Sequence, residues 1–463
     1  MTQPPGGDSG EPPATRERAS RSSGVDAQGT SAACVLLIGP GQLPDATAQA
    51  LAGCGAEVRR LDEPSDAGIR EALEDTRVDR VIVISRDDHV SLRHALVVAH
   101  VRPGISMLVT VFDRDVAEHL RDSVKNVDVL SMADIVAPSF AGPCLDPDLI
   151  SIVRRPSQTR GITVVHGRPS TAPLAWDTRG GARRVLRALE ALLVPFDSSA
   201  RILVYGVLGF LAVLLVETAV TMVAAHSSLI DALYSVAKVT VTVGPSSAVD
   251  QGGNWLKLFS TVTMLLTLGI AAVLTAGLVN RLLDPRLTGI LGRSAVPRRD
   301  HVVVVGLGQV GFRLGLLLRE LGVPVILVEQ NPEAKNVPRA KDQRLPIVIG
   351  SGAAQRLLRR LSIRHARALA AVTSDEVENI AIAVAARGLR QDLPIALRAG
   401  DGDATSETQS LFRVGVVRDV YRIAGAALTA TILGNGAHEA FPHGRVMYLV
   451  DKRGAIAPFP PTV

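Results

Sequence analysis

The chain carries two kinds of hydrophobic pattern, and they alternate. From residue 33 to about 138, short continuous apolar runs are separated by stretches of helical spacing: CVLLIG (34–39), EVRRLD (57–62), DRVIVIS (79–85), SMLVTVF (106–112) and VDVLSMADIVAP (127–138). The same alternation returns in HVVVVG (301–306), VPVILVE (323–329), LPIVIGSGA (345–353), ALAAVTSDEVENI (368–380) and LPIALRAGD (393–401). Strands apolar on both faces belong in parallel sheets covered by helices on each side. Both regions are therefore expected to be Rossmann-like, doubly wound α/β domains. Between them the pattern changes. Residues 202–224 and 256–283 are apolar almost throughout, and at about 1.5 Å per residue each reaches across a hydrocarbon core of roughly 30 Å. Residues 228–250 are amphipathic at first and turn-rich afterwards. They are too short to cross and return, which suits a re-entrant segment buried in protein or lining an aqueous cavity.

The expected organisation follows from these shifts. Residues 1–32 form a disordered tail rich in Pro, Gly, Ser and charge, with too little apolar surface to offset chain entropy. A first α/β domain covers 33–160, and a linker covers 161–200. Within that linker RRVLRALEALLVP (183–195) is either an interfacial helix or a connector packed on the first domain. A membrane domain covers 201–290, a second α/β domain 300–435, and a tail 436–463. The fold class is thus α/β plus membrane helices: two Rossmann-like domains flanking a two-helix, pore-loop membrane unit.

Charge orients this arrangement. The formal net charge of +5 could suggest nucleic acid, but the arginines gather at 183, 184, 187 and 201 before the first span and at 281, 286, 293, 298 and 299 after the second. Only Lys238 and Lys257 lie between. The positive-inside rule then puts both termini in the cytoplasm of a multi-pass plasma-membrane protein. The first span would serve as the insertion signal, since no cleavable signal peptide opens the chain. At 3% aromatic content there is no stacking platform for nucleic acid. Cys34, Cys54 and Cys144 follow no metal or disulfide pattern, and no metal site is expected.

Chemistry concentrates in one glycine turn. Gly306-Leu-Gly308-Gln309-Val-Gly311 follows an apolar strand and opens a helix, and Glu329 ends the next strand about 20 residues on. In a dinucleotide-binding unit the first glycine allows the turn, the second lets backbone approach a pyrophosphate, and the third lets helix and strand pack closely. The helix N-terminus offers N–H groups and a positive dipole end to phosphates. A carboxylate at the strand end prefers a free ribose to a 2′-phosphate, so NAD(H) or an adenine nucleotide (ATP or ADP) is the expected cofactor. The first domain has only Gly39-Pro40-Gly41 with Pro44 at the third glycine's place, a weaker form of the motif. No His/Asp or Tyr/Lys constellation follows Glu329, so no enzyme activity is expected.

Taken together, the glycine turn, Thr373-Ser-Asp375-Glu376, Asn379 and Arg398 resemble RCK (TrkA-N type) domains, the nucleotide-binding regulators of potassium channels and Trk-type transporters. That resemblance implies nucleotide contacts at Ser351, Thr373, Asp375 and Arg398. Ser351 stands where the family often has Asp, and Asp375 is equally a helix N-cap. Ile84-Ser-Arg-Asp87-Asp88 parallels Val372-Thr-Ser-Asp375-Glu376, so the first domain resembles a diverged copy of the same module. The membrane unit resembles two-helix potassium channels, with Thr242-Val243-Gly244 at the filter entrance. There the family continues Tyr-Gly-Asp and this chain continues Pro245-Ser246-Ser247, which replaces a flexible glycine and removes an N–H from the carbonyl ladder.

The resemblance implies a homotetramer in a lipid bilayer, a potassium ion as permeant, and gating by a small nucleotide. Glu217, an intramembrane carboxylate, and Lys238 are candidates for pore support. Gly269 is a candidate hinge or a site of close helix packing. The competing expectation is a non-conducting, membrane-anchored nucleotide sensor with a degenerate pore.

Overall fold

The computed structural model describes residues 33–154, 159–174, 198–226, 228–240, 253–283, 297, 299–400, 415–434, 437–451 and 453–460. The first module opens with β1 (Cys34–Ile38), β2 (Glu57–Leu61), β3 (Val78–Val83), β4 (Ser106–Thr110) and β5 (Val127–Leu130) in one parallel sheet of order β2-β1-β3-β4-β5. Helices α1 (Gln42–Gly53), α2 (Asp66–Glu74), α3 (Asp88–Val101) and α4 (Arg114–Ser123) connect the strands. The strand expected over 127–138 stops at Leu130. Met132–Leu145 is instead a helix, α5, which contains Pro138 and Pro143 and is buried at every position from Ile135 to Leu145. A helix apolar all round carries no 3.6-residue signal, which is why its sequence resembles a buried strand.

The next correction concerns the linker. Strands β6 (Ser151–Val153), β7 (Arg160–Val165) and β8 (Arg168–Pro173) form an antiparallel sheet, so the first module runs beyond residue 160. The β7–β8 hairpin turns at His166 and Gly167, both with positive φ (52° and 76°), the conformation that matches the twist of the flanking strands. Residues 183–195, expected as a helix, lie outside the described residues, as does the tail 1–32.

The second module has β9 (Val302–Val305), β10 (Val325–Glu329), β11 (Ile347–Ile349), β12 (Ala368–Ala371), β13 (Ile395–Ala399) and β14 (Val416–Asp419) in the parallel order β11-β10-β9-β12-β13-β14. Its helices are α9 (Gln309–Glu320), α10 (Val337–Asp342), α11 (Gln355–Arg360), α12 (Glu376–Arg387) and α13 (Val420–Ile432). The segment expected as a tail after 436 contains β15 (Ala437–His443), β16 (Val446–Asp451) and β17 (Ile456–Pro458), a second three-stranded antiparallel sheet.

The two modules are not separate bodies. One apolar cluster runs from Val35, Leu37 and Phe140 to Val302, Val304, Leu314 and Ala427. Helix α5 packs against α9, β12 and β13 of the second module, and α13 packs against α1 and β4 of the first. Each module thus lends its last helix to the other. The exchange makes the joint hydrophobic: a Cβ on Gly425 of α13 would meet Ala46 and Thr47 of α1 at 3.0–3.1 Å, so a small residue is what lets these helices close. Buried Arg418 spans the joint as well, donating to the carbonyls of Ser139 (3.2 Å) and Ile150 (2.8 Å).

The central unit consists of α6 (Ser198–Ala225), α7 (Leu229–Thr240) and α8 (Asn254–Leu283). Two spans, Tyr205–Ala224 and Asn254–Ala276, are long and apolar enough to cross a membrane, and only 17% of each is buried. Their polarity is inside out. Leu211, Leu215, Val216, Leu258, Leu265 and Leu268 are exposed, while Glu217, Thr218, Thr221, Ser260, Thr263 and Thr267 are buried. The expected re-entrant segment is helical over its first half, as α7, and its second half lies outside the described residues, including Thr242, Val243, Gly244 and Pro245.

Candidate functional site

The strand order of the second sheet reverses between β9 and β12, and ligands of open parallel sheets bind outside the strand ends at such a point. Here the strand ends open onto a cleft of about 660 Å³ lined by Gly306, Gly308, Glu329, Asn336, Thr373 and Arg398, among others. Five residues singled out from the sequence, namely Gly306, Gly308, Glu329, Thr373 and Arg398, therefore share one cavity.

The three glycines do different work. Gly306 has φ +100°, and a Cβ there would lie 2.8 Å from the Thr373 backbone N. Gly311 faces the Gly306 carbonyl and Val372, where any side chain would force α9 off the strand. Gly308, the N-cap of α9, has nothing within 4 Å of a Cβ among the described residues. Only the middle glycine, then, leaves room that the fold itself does not use.

Glu329 is oriented by the backbone around it. Its Oε2 accepts from Leu307 N at 2.8 Å and its Oε1 from Asn331 N at 2.9 Å. A carboxylate has about four acceptor sites, so each oxygen keeps one for a ligand hydroxyl. Asn336 closes the same wall: its Nδ2 donates to Leu307 O at 3.1 Å, while its Oδ1 is buried without a hydrogen-bond partner among the described residues. A buried acceptor in that condition is costly unless something donates to it. With the open Gly308 face, the fixed carboxylate and the cations Lys335 and Arg398 also on the lining, the residues present fit a ligand that pairs hydroxyls with phosphates.

Other candidates take structural roles. Asp375 caps α12, its carboxylate accepting from Glu378 N at 3.1 Å, and it is not among the residues lining the cleft. Gln309, Gly311 and Ser351 are likewise off the lining, Ser351 lying between two glycines that are on it. Asn379 ties two strand ends together, donating to the carbonyls of Thr373 (3.2 Å) and Arg398 (3.1 Å). Asn331, Lys335 and Asn336 line the cleft without having been expected there. Their signal is the Asn331-Pro332 pair directly after the acidic strand end, a turn signature that holds the following segment over the cleft.

The first module keeps the frame of this site and loses its fittings. Gly39 has φ +131° and packs against Ile84 O, as Gly306 packs against Thr373. Asp87 caps α3, and the Asp88 carboxylate accepts from Phe112 N and Asp113 N at 2.9 Å each, as Glu376 accepts from Gly400 N. These matching bonds support the repeat read from the sequence. Register then places Asp62 opposite Glu329, since Gly39 N and Gly306 N donate to Leu61 O and Val328 O respectively. Pro40 stands at Leu307's position and has no N–H for that carboxylate to grip. Asp62 instead accepts from Arg60 Nε at 2.6 Å, and Arg60 also pairs with Asp45.

In the membrane unit Glu217 is 3% exposed, and its Oε2, with Ser260 Oγ and Thr267 Oγ1, is buried without a partner among the described residues. Lys238 lies 5.2 Å from the Tyr234 ring centroid. Gly269 is exposed, with nothing within 4 Å of a Cβ among the described residues, so close packing among them does not explain it. Among the described residues no cluster of His, Cys, Asp and Glu is placed to hold a metal.

Comparison with known proteins finds the following similarities. Residues 302–420 match the TrkA-N domain family. Potassium channel protein 1 of Methanocaldococcus jannaschii is 22% identical over 121 residues, which is 26% of this chain and 35% of that protein. The chain therefore spans well under two thirds of that relative. Among solved structures, the GsuK channel bound to NAD has 14% identity and a TM-score of 0.47, covering 89% of this chain and 68% of that one. GsuK bound to ADP has 11% identity and a TM-score of 0.45, covering 87% and 70%.

Proposed function

We propose that this chain is a subunit of a cation channel of the potassium-channel type, gated by a nucleotide held in the cleft of its second module. The observation that carries the membrane part is the reversed polarity of the α6–α8 hairpin, apolar outward and hydroxyl- and carboxyl-bearing inward. In water such a surface would drive aggregation; in lipid it is the stable arrangement, with the polar groups turned toward the neighbouring helix and away from the tails. One hairpin cannot enclose a pore, so the subunits assemble around an axis, as a homotetramer in this reading. The arginine distribution sets both termini in the cytoplasm. The match of this chain to a potassium channel protein over 121 residues supports the same class of cargo.

The ligand is NAD(H) or an adenine nucleotide. Phosphates sit against the open Gly308 face at the start of α9, where N–H groups and the helix dipole favour anions. Glu329 and the unpaired Oδ1 of Asn336 receive ribose hydroxyls, and Arg398 and Lys335 offset phosphate charge. These residues bind and orient; we assign the chain no enzymatic step. Gating follows to the extent that the ligand binds two arrangements of the cytoplasmic modules with different affinity. The residues Pro245-Ser246-Ser247 favour a second reading, in which the pore no longer conducts and the chain is a membrane-anchored nucleotide sensor. Potassium flux into liposomes containing the purified protein, with and without NADH, ATP or ADP, separates the two. Nucleotide-dependent flux is expected; silence under every ligand from intact oligomers would overturn the channel reading and leave the sensor.

A further inference from the structure

The nucleotide cleft of the second module is wired to the first module at two places, and both contacts end on the strand ends beside the first module's own altered turn. Arg398 lines the cleft, and its Nη2 lies 3.2 Å from the hydroxyl of Tyr421, whose ring centroid is 5.8 Å from the guanidinium. The same hydroxyl lies 3.3 Å from Nη2 of Arg86 in the first module. Arg86 holds the repeat position of Ser374, which lines the cleft in the second module. Tyr421 is 7% exposed, and at the first turn of the exchanged helix α13 it stands between the modules.

The second contact runs through α10. Asn336, with its unpaired buried oxygen on the cleft wall, is the N-cap residue of this helix. One turn on, Arg339 pairs with Asp113 of the first module at 2.5 Å and lies 5.6 Å from the Phe112 ring centroid. Arg313 of α9 approaches the same ring, donating to Phe112 O at 2.6 Å with its guanidinium 4.8 Å from the centroid. Phe112 and Asp113 are the residues whose amides Asp88 holds, at the strand end equivalent to Gly400.

Resting on the nucleotide reading above, we propose that the first module is the receiver of the ligand signal rather than a second ligand site. Its turn has no N–H at Pro40 to set an acid, and its acid, Asp62, is committed to Arg60. What the duplication left there instead are Arg86 and Asp113, which grip Tyr421 and Arg339. A phosphate drawn to Arg398 and a hydroxyl donated to Asn336 act on the residues, or the next turn of helix, that hold those grips. Binding in one module is therefore linked to order in the other, and by reciprocity loosening either grip changes the affinity of the cleft.

Hydrogen exchange on the full chain in nanodiscs, with ADP and separately with NADH, tests this. Ligand is expected to slow exchange at 306–311 and 329–336, and also at 84–88 and 111–114, the latter by about fivefold or more, the lower end of ordinary allosteric coupling. With ligand at saturating concentration, Tyr421→Phe should keep cleft protection and lose that at 84–88; Asp113→Asn should keep it and lose that at 111–114. Protection of the cleft with no change in the first module would overturn the proposal while leaving the nucleotide reading intact. No protection at the cleft with either ligand would overturn both. Protection at Gly39–Leu43 in a Gly308→Val variant would show the first module binding ligand itself, and would refute the receiver role.

Discussion

The two glycines Gly308 and Gly311 lie three residues apart in one motif, and the structure assigns them opposite consequences. In Gly311→Ala the new Cβ would stand 3.1 Å from both the Gly306 carbonyl carbon and Val372 Cγ2, and closer still to the Gly306 oxygen. That carbonyl cannot swing away freely, because Gly306 is held at φ +100° with its N–H on Val328 O. Overpacking of this kind costs about 1–3 kcal/mol, and a rigid backbone neighbour argues for the upper end. At about 2–4 °C per kcal/mol for a body of this size, Tm should fall by about 6–12 °C. Gly308→Ala meets nothing within 4 Å, and its φ of −69° suits any residue. Losing glycine at the N-cap costs about 0.5–1 kcal/mol, offset by about 0.4–1 kcal/mol from the unfolded chain, so its stability should stay within about 1 kcal/mol of the parent. Gly308→Val should fold similarly and weaken ADP and NADH binding about 100-fold, or about 2.7 kcal/mol. The assay is calorimetric titration beside thermal unfolding of the purified chain. Equal destabilisation by both substitutions, or parental affinity in Gly308→Val, would refute the assignment of the middle glycine to ligand approach.

Two further predictions concern buried basic groups. Burial pushes the His301 imidazole down to about 4, with Nε2 bound to Leu361 O at 2.9 Å. Since the unfolded chain binds the extra proton first, its stabilisation is complete above about pH 6.5 and is lost as pH falls toward 4, about 3 kcal/mol in all. Denaturant unfolding between pH 7.5 and 4 should show that slope, and His301→Leu should flatten it; an unchanged slope would remove His301 as its source. Burial also pushes Arg418 down to about 10. Arg418→Met strands two carbonyls of the first module, so it should cost about 3 kcal/mol and expose the joint between modules to protease; parental stability would show that Arg418 does not hold it.

How much of this is legible in advance depends on whether the signal is local. The parallel strands, the glycine turn and Glu329 can be placed from the sequence because continuous apolar runs and glycine spacing are properties of neighbours in the chain. The hairpin helices are legible for the same reason, their length alone matching a bilayer. Helix α5 reads as strand because burial on every side erases periodicity, and β7–β8 and β15–β17 read as linker and tail because short, partly polar strands carry little pattern. Asn336 escapes notice because its importance lies in an oxygen left unpaired by the fold.

What the amino-acid order determined by itself is the list of modules and the chemistry at one strand end. Only the tertiary structure decided that the modules exchange their last helices, that Asp375 caps a helix while Arg398 faces the cleft, and that Arg86 and Asp113 close on Tyr421 and Arg339. The physical reason is distance along the chain. Periodicity and motif spacing record contacts between near neighbours, whereas Arg86 and Tyr421 are joined only after two sheets bury a common core.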